Sequence, residues 1–222
     1  MSITLLDLYN MVASQSWSMF DNDAENKNDF NPALLSAINK ALVEIWCSYP
    51  FPFRRKEITI TTQTALNEYN LPDGIIEQKI TKSGEKYAVK TGRNFLDFIE
   101  YPEDLEFVAG KPEGFFINND KLSFYPVPDG VYNIKICYHT FSVGIDSSLQ
   151  PIYALVDADD VIVIPDEYKQ LFLNALCAKS MMYALTSPRD ENYAGYAILF
   201  EKAYKLLIRA VGGRKKNRKV VF

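Results

Sequence analysis

The sequence predicts an α+β fold in which helices near both ends of the chain flank a β-rich middle. Three observations support this prediction. Apolar residues recur every three to four positions near both ends, they alternate with polar residues in the middle, and the chain closes on a glycine pair and a basic tail. We therefore predict an α-helical bundle of two N-terminal and two C-terminal helices at 1–55 and 150–211, an inserted antiparallel β-meander or small sandwich at 56–149, and a flexible basic C-terminal arm at 212–222.

The first predicted helix begins at Thr4. Threonine is a good N-cap, and Asp7 places a negative charge in the first turn, where the helix dipole favours it. The helix is predicted to run to about Phe20, where a polar loop begins. Its apolar face is formed by Leu5, Leu8, Tyr9 and Val12.

The second predicted helix begins at Asn31-Pro32, because asparagine caps a helix and proline fits its first position. The stretch SYPFPF, residues 48–53, ends it, since two prolines cannot continue a helix. One apolar stripe is expected on this helix, formed by Leu34, Leu35, Ile38, Leu42, Ile45 and Trp46.

The β-rich region starts where the apolar period changes to two. Ile58 and Ile60 alternate with polar residues, which predicts a half-buried strand. The region 93–105 is compatible with a short helical turn. Turns are predicted at residues 72–74, 83–86, 118–121 and 127–130. A last alternating strand is predicted to contain Val131, Ile134, Ile136 and Tyr138.

Two further helices are predicted after a loose stretch that extends to about Asp160. The first has Pro165 at its first position, with Asp166 and Glu167 in the first turn. One of its faces is expected to hold Tyr168, Phe172, Ala175, Leu176, Lys179 and Tyr183.

The last predicted helix repeats this pattern. Ser187 caps it, Pro188 starts it, Asp190 and Glu191 lie early, and the glycine pair at 212–213 stops it. Its apolar stripe is predicted to be Tyr193, Tyr196, Ala197, Phe200, Tyr204, Leu207 and Val211.

The composition argues against several functional classes. The formal net charge is −4, and because the tail carries five positive charges the rest of the chain stands at −9, which disfavours a general nucleic-acid binder. The cysteines Cys47, Cys137 and Cys177 are odd in number and far apart, which predicts neither a disulfide framework nor a zinc site. No signal peptide and no membrane-spanning stretch are expected.

We expect no catalytic residue. The single histidine, His139, lies at the end of a predicted strand, and no Ser-His-Asp or Cys-His set can be assembled without it. The carboxylates Glu100 and Glu103 are close in sequence, but nothing distinguishes them as a glycosidase pair. The stretch Gly84-Glu85-Lys86 lacks the other residues of a phosphate loop.

We also expect no dedicated metal site and no cofactor. Asp21, Asp23 and Glu25 alternate as in a calcium-binding loop, but Asn26 and Pro32 stand where that loop needs glycine and glutamate. We interpret the acidic stretch 157–160 as a linker before a helix. Adventitious binding of a cation remains an alternative for this stretch and for residues 21–25.

The tail GGRKKNRKVVF is the most specific feature of the sequence. It is typical either of a disordered, solubilising end or of an arm that docks on an acidic partner with its apolar tip in a pocket. Binding to DNA phosphates is a third interpretation, which the acidic body disfavours. The candidate partner-binding residues are Arg214, Lys215, Lys216, Arg218, Lys219, Val221 and Phe222.

Four stretches together span most of the chain and suggest a family: FNPALLSAINKALVEIWCSYPFPF, ITITTQTALNEYNLPDGIIEQKIT, GKPEGFFINNDKLSFYPVPDGVYNIKICYHTF and IPDEYKQLFLNALCAKSMMY followed by YAGYAILFEKAYKLL. In their order and spacing they resemble the head-to-tail adaptor (connector) proteins of short-tailed bacteriophages, including those of crAss-like phages. The resemblance rests on packing and turn patterns, not on a catalytic signature.

This resemblance implies a structural protein of the virion neck or tail, made in the host bacterial cytoplasm. Such adaptors are typically rings of twelve copies beneath the portal; they extend the DNA channel and offer a platform to the next tail component. The implied partners are further copies of the chain, the portal protein, a downstream tail or ring protein, and genomic DNA that passes without sequence-specific binding. The family's C-terminal arm commonly reaches toward the portal, which matches 214–222 here.

Two other functional classes remain as alternatives to the adaptor. One is a virion-associated cell-wall hydrolase, which predicts turnover that a single carboxylate change abolishes. The other is a carbohydrate-binding β-module on a helical stalk, which predicts ligand affinity without a ring. The adaptor predicts neither property, but it predicts a fixed stoichiometry with a partner.

Overall fold

The computed structural model describes residues 3–15, 24–25, 29–70, 82–83, 86–118, 121–185 and 191–213. Within these ranges the helices are α1 (Leu5–Ala13), α2 (Pro32–Ser48), α3 (Asp166–Ala184) and α4 (Glu191–Gly213), with short 3-10 turns at Pro52–Arg54 and Pro102–Asp104. The strands are β1 (Ile3–Thr4), β2 (Arg55–Thr61), β3 (Glu68–Asn70), β4 (Lys82–Ser83), β5 (Lys86–Tyr87), β6 (Val89–Thr91), β7 (Asn94–Phe95), β8 (Asp97–Phe98), β9 (Ala109–Gly110), β10 (Gly114–Asn118), β11 (Lys121–Tyr125), β12 (Val127–Pro128), β13 (Asn133–His139), β14 (Gly144–Ile145), β15 (Pro151–Ile152) and β16 (Val161–Ile162). The predicted α+β class is confirmed.

The chain divides into two compact units. Met1–Phe53 and Phe141–Phe222 form the first unit, and Arg54–Thr140 form the second. The first unit contains the four helices and the second contains most of the strands. The second unit ends at Thr140, before the limit of 149 that the sequence predicts for the β-rich insertion.

Helix α1 begins as predicted but ends earlier. The Thr4 hydroxyl accepts a hydrogen bond from the Asp7 backbone N–H at 3.1 Å, which confirms the N-cap. The helix ends at Ala13, so the prediction that it continues to about Phe20 is wrong. Ser14 is the C-cap, where its N–H donates to the Asn10 carbonyl at 3.0 Å and its hydroxyl donates to the Met11 carbonyl at 2.8 Å. Residues 16–20 lie outside the described part of the chain.

Helix α2 has the predicted limits. The Asn31 side-chain oxygen accepts hydrogen bonds from the N–H groups of Ala33 and Leu34 at 2.9 and 3.3 Å, and Pro32 occupies the first turn. Leu35 is only half-buried and packs at the margin of the core. The other predicted members of the stripe are buried: Leu34, Ile38, Leu42, Ile45 and Trp46.

Helices α3 and α4 complete the helical layer of the first unit. Helix α3 packs against both α2 and α4, and Asp166 and Glu167 lie in its first turn as predicted. Pro165 is the residue before the helix instead of its first residue. The predicted start of α4 at Ser187 and Pro188 lies outside the described residues.

A small four-stranded sheet closes the first unit, in the order β1-β16-β14-β15. The sequence predicts a loose stretch up to about Asp160, and strands of two residues are too short to show an alternating pattern. Gly144 has no room for a side chain, since an added Cβ would lie 2.4 Å from the Val161 carbonyl oxygen. The Leu5 N–H also donates to the Asp160 carbonyl at 2.8 Å, which ties the start of α1 to this sheet.

The second unit contains two four-stranded sheets, β2-β13-β6-β7 and β3-β11-β10-β8. Strand β2 pairs with β13 along its whole length, from Thr61 opposite Asn133 to Arg55 opposite His139. Next to this pair, the Arg54 Nε–H donates to the Thr140 carbonyl at 3.0 Å and the Thr140 N–H donates to the Arg54 carbonyl at 2.9 Å. Buried side chains from both sheets form one core: Val89, Leu96, Phe115, Leu122, Phe124, Ile134 and Ile136.

The region from Phe115 to Tyr138 is not a continuous meander. Strands β10 and β11 form a hairpin, but β13 lies in the other sheet, and β8 and β9 pair with β10 and β12 in parallel. The connection 126–132 carries the chain between sheets, where the Thr62 hydroxyl donates to the Gly130 carbonyl at 2.9 Å and accepts from the Tyr132 N–H at 2.8 Å. Val131, predicted to be in the last strand, is 72% exposed because β13 starts at Asn133.

Some predicted turns lie partly or wholly outside the described residues. These are the turn at 72–74 and the central residues 84–85 and 119–120 of two others. The strands that flank the latter two turns pair antiparallel, Ser83 with Lys86 and Asn118 with Lys121.

Candidate interaction surfaces

The predicted partner-binding residues of the C-terminal arm lie outside the described part of the chain. These are Arg214, Lys215, Lys216, Arg218, Lys219, Val221 and Phe222. Helix α4 reaches Gly213, and a Cβ added at Gly212 would lie 3.8 Å from the Tyr49 hydroxyl oxygen, just beyond the end of α2.

The acidic stretch 157–160 has a structural role. The Asp160 carboxylate is buried and accepts hydrogen bonds from the backbone N–H groups of Val156 and Asp157 at 2.6 and 2.8 Å. It therefore fixes the loop that precedes β16. Within the described residues, no three His, Cys, Asp or Glu side chains are grouped closely enough to hold a metal ion.

The other residues considered for chemistry are dispersed. His139 ends β13 opposite Arg55, and Glu100 and Glu103 are both exposed. Cys137 and Cys177 are buried, and Cys47 is exposed on α2. Burial raises the pKa of the Cys177 thiol to about 12, which keeps it protonated and unreactive.

A polar cluster joins α2 to α3. Lys179 Nζ lies 2.8 Å from one Glu44 carboxylate oxygen, the Tyr183 hydroxyl donates to the other, and Lys40 Nζ lies 4.2 Å from the centre of the Tyr183 ring. The sequence predicts that Lys179 and Tyr183 share one face of α3, but it does not predict that Glu44 and Lys40 are their partners. The signal was present, since Lys40 and Glu44 are also four residues apart on a helix.

The charges of this cluster shift two pKa values in opposite directions. Burial alone would raise the pKa of Glu44, but the hydrogen bonds from Lys179 and Tyr183 and the positive charges of Lys179 and Lys40 outweigh it, so the pKa lies below its usual value. Burial and the hydrogen bond to Glu44 raise the pKa of Tyr183 to about 12. Both shifts favour the arrangement of neutral tyrosine and ionised carboxylate near neutral pH.

Next to this cluster, a largely apolar groove runs between α2 and residues 154–156. Its cavity volume is about 810 Å³, within the range of sites that bind drug-sized ligands, about 300–1,000 Å³. The groove is fixed by Asn39, whose side-chain amide donates to the Leu155 carbonyl and accepts from the Leu155 N–H, both at 2.8 Å. The lining residues are Pro32, Leu35, Ser36, Asn39, Lys40, Val43, Glu44, Ala154, Leu155, Val156 and Tyr183.

The second unit exposes two aromatic side chains on one loop, residues 99–108. Tyr101 is 66% exposed and Phe107 is 81% exposed. The ends of the loop are held by backbone hydrogen bonds, from Ile99 N–H to the Phe115 carbonyl at 2.9 Å and from Val127 N–H to the Val108 carbonyl at 2.8 Å. The loop therefore presents its aromatic rings from a fixed base, as contact surfaces do.

Helix α4 carries a third exposed apolar surface. Tyr196, Leu207 and Val211 are buried, whereas three large aliphatic side chains on the same helix are more than half exposed: Ile198, Leu199 and Leu206. Leu199 and Leu206 lie seven residues apart and therefore share one face. We name Ile198, Leu199 and Leu206 the outer face of α4.

None of the helices in the described ranges is long and apolar enough to cross a membrane. Large apolar side chains are exposed on both units, on the outer face of α4 in the first and on the loop 99–108 in the second.

Comparison with known proteins agrees with this description. The family model described as SU10 adaptor protein matches residues 3–220, which includes both compact units. No curated protein matches the chain. The chain therefore belongs to the SU10 adaptor protein family and is a phage head-to-tail adaptor.

Proposed function

We propose that the protein forms a homo-oligomeric ring, of twelve copies as in the adaptors it resembles, beneath the portal of the phage. In this position it extends the DNA channel and provides a docking platform for the next tail component. The observation that carries the proposal is the family match over residues 3–220. Family membership itself implies a structural, non-enzymatic role, a place in the virion neck or tail, and contacts with portal and tail proteins.

In this proposal the two units have different roles. The first unit, which contains the four helices, forms the ring. The outer face of α4 contacts the next copy, because three large aliphatic side chains exposed on one helix favour burial in an assembly. The second unit is the platform, and Tyr101 and Phe107 are its anchors for the tail component. Exposed aromatic residues are enriched among the residues that dominate binding energy.

The channel and the arm complete the proposal. The chain without its basic tail carries a net charge of −9, and an acidic wall lets DNA slide because it does not bind phosphates. The arm, with its cations Arg214, Lys215, Lys216, Arg218 and Lys219 and its tip Val221 and Phe222, docks on an acidic surface of the portal.

The test is direct observation of the complex with the portal. The purified chain is mixed with portal rings of its phage, and electron microscopy counts the copies bound. The full-length chain is compared with a chain that ends at Val211. The matched control is the full-length chain with Asn217→Ala. Discrete rings that the truncation weakens support the proposal with its arm. If the truncated chain forms the same rings, the arm has no part in portal binding. If neither chain associates with the portal, the proposal is wrong.

A further inference from the structure

We propose that, in the free protein, the apolar tip of the C-terminal arm occupies the groove between α2 and residues 154–156 of its own chain, and that portal binding releases it. The arm thereby keeps the groove covered until the portal is present. The first half of this inference is independent of the proposed function; only the release by portal rests on it. The occupant is named from three observations: the chemistry of the groove, its rim charge, and the reach of the arm.

The groove has the surface that an apolar peptide end requires. Val43 and Val156 line it from opposite sides and are 40% and 59% exposed, so apolar area is left open to solvent. The Asn39–Leu155 hydrogen bonds and the Asp160 carboxylate hold its second wall in place. A preformed apolar groove binds a flexible segment at a lower entropic cost than one that must form first.

The charges at the rim complement those of the arm. Asp157 and Asp159 are exposed and follow the lining residue Val156 in the sequence. The lining residues Glu44 and Lys40 carry opposite charges, and Glu44 is already paired with Lys179, so the negative charge that remains for the arm is that of the two aspartates. The arm carries five cations and no acidic residue ahead of the tip Val220-Val221-Phe222. Its cations therefore gain favourable interactions at the rim while its tip covers the apolar floor.

The arm is long enough to reach the groove of its own chain. It leaves α4 beside Tyr49, and Val43 and Leu35 lie six and fourteen residues back along α2, which is about 9 and about 21 Å at 1.5 Å per residue. The nine residues 214–222 span at most about 30 Å when extended. A tethered segment has an effective concentration of about 1 mM, so the arm of the same chain outcompetes that of a second copy in dilute solution.

The experiment measures protection of the groove by thiol labelling. Ser36 lines the groove and is exposed, so Ser36→Cys reports on it in a background in which Cys47 is replaced by serine. The full-length chain is compared with a chain that ends at Gly213. For an untethered tip with a Kd of about 0.1 mM, the effective concentration of about 1 mM protects the thiol about tenfold. Truncation is therefore expected to make maleimide labelling about tenfold faster. Equal labelling rates in the two chains overturn the proposal.

Two controls separate the arm from unrelated effects. Ser148→Cys, at the β14–β15 turn of the same unit, is the matched reporter, and its labelling rate stays the same in both chains. The second control is the full-length Ser36→Cys chain that also carries Val221→Asp and Phe222→Asp. Its labelling rate is expected to equal that of the truncated chain. Slow labelling that persists in this variant overturns the assignment of the apolar tip.

Concentration and portal distinguish the remaining occupants. Protection by the chain's own arm is independent of protein concentration; protection that disappears on dilution assigns the groove to a second copy and overturns the inference. Portal rings are then added to the full-length reporter. Labelling at the truncated rate supports release. If the portal binds but the labelling rate does not rise, the proposed release is wrong. If the groove is protected but the portal does not bind, the proposed function is wrong and the docking of the arm still stands.

Discussion

The side-chain amide of Asn39 pairs with the backbone of Leu155 through two hydrogen bonds, each 2.8 Å long. The two residues are 116 positions apart, so this single side chain joins the N-terminal helices to the segment that follows the second unit. It acts as a backbone group would in a strand pair, and it holds one wall of the groove.

Replacement of Asn39 by alanine is therefore expected to destabilise the first unit. The two hydrogen bonds to Leu155 and a third, from the Asn39 amide to the Leu35 carbonyl at 3.3 Å, disappear, and the buried Leu155 loses the partner of its backbone groups, which costs about 1–3 kcal/mol. The free energy of unfolding in denaturant measures this loss. Asn174→Ala is the matched control, because the Asn174 side chain is exposed and accepts only from Gln170, at 2.9 Å. Equal stabilities of the two variants would contradict the role of Asn39.

The Glu44 cluster is expected to make stability fall at acidic pH. The pKa of Glu44 in the folded protein lies below its ordinary value of 4.5, so its contribution is complete above pH 4.5 and is lost as the pH falls through the folded pKa. The Glu44 side chain is 47% exposed, and solvent screening limits the contribution to at most about 1 kcal/mol. Unfolding free energies at pH 3 to 7 should show Glu44→Gln converging with the wild type at low pH. Parallel curves would refute this.

Tyr183 predicts a second loss at alkaline pH. Its pKa is raised from 10.0 to about 12 in the folded protein, so the stabilisation is complete below pH 10 and is lost as the pH rises toward 12. Tyr183→Phe removes the titrating hydroxyl and should flatten this fall. Absorbance of tyrosinate follows the ionisation and circular dichroism follows the fold. A wild-type curve no steeper than that of the variant would contradict the raised pKa.

The outer face of α4 is expected to control assembly and not folding. Leu199→Glu with Leu206→Glu places two charges on exposed positions, so the monomer keeps its fold while contact with the next copy weakens about tenfold or more. Analytical ultracentrifugation with portal present measures the assembly. Gln170→Glu with Asn174→Asp adds the same charge to exposed positions of α3 and serves as control. Assembly that both variants preserve would exclude this face.

The loop of the second unit is expected to bind the tail component through its aromatic rings. Tyr101→Ala with Phe107→Ala removes side chains that are mostly exposed, so stability changes by no more than about 0.5 kcal/mol per residue. Attachment of the tail component to assembled rings should be lost, as electron microscopy or co-sedimentation would show. Val131→Ala removes an equally exposed apolar side chain from the same unit and should leave attachment intact. Loss in both variants would point to a general effect on the unit.

Local signals explain which parts of the fold could be predicted. Thr4, the pair Asn31-Pro32, and the acidic first turn of α3 act within one turn of helix, and the structure shows each where the sequence analysis expects it. The alternation in β2 and β13 is equally local. The end of α1 shows the limit of such signals, because the helix ends at Ala13 although the sequence predicts a longer one.

Non-local contacts explain what the sequence did not reveal. Nothing in the order of β11 and β13 indicates that they join different sheets, since each alternates like a member of a meander. Two-residue strands such as β14 and β16 have too few side chains to show a period. The groove depends on the Asn39–Leu155 pair, whose members are distant in sequence. The basic composition of the tail is evident from the sequence alone, and the arm that it predicts lies outside the described residues.

The reciprocal hydrogen bonds between Arg54 and Thr140 bear on how such adaptors diversify. One joins backbone to backbone and the other joins the Arg54 side chain to the Thr140 carbonyl, so the two ends of the segment 54–140 meet. A segment whose ends already meet can be exchanged for another of different length or shape without stretching the chain on either side. We therefore expect that the segment 54–140 can be exchanged at its two ends, Arg54 and Thr140, while the helices of the first unit stay unchanged.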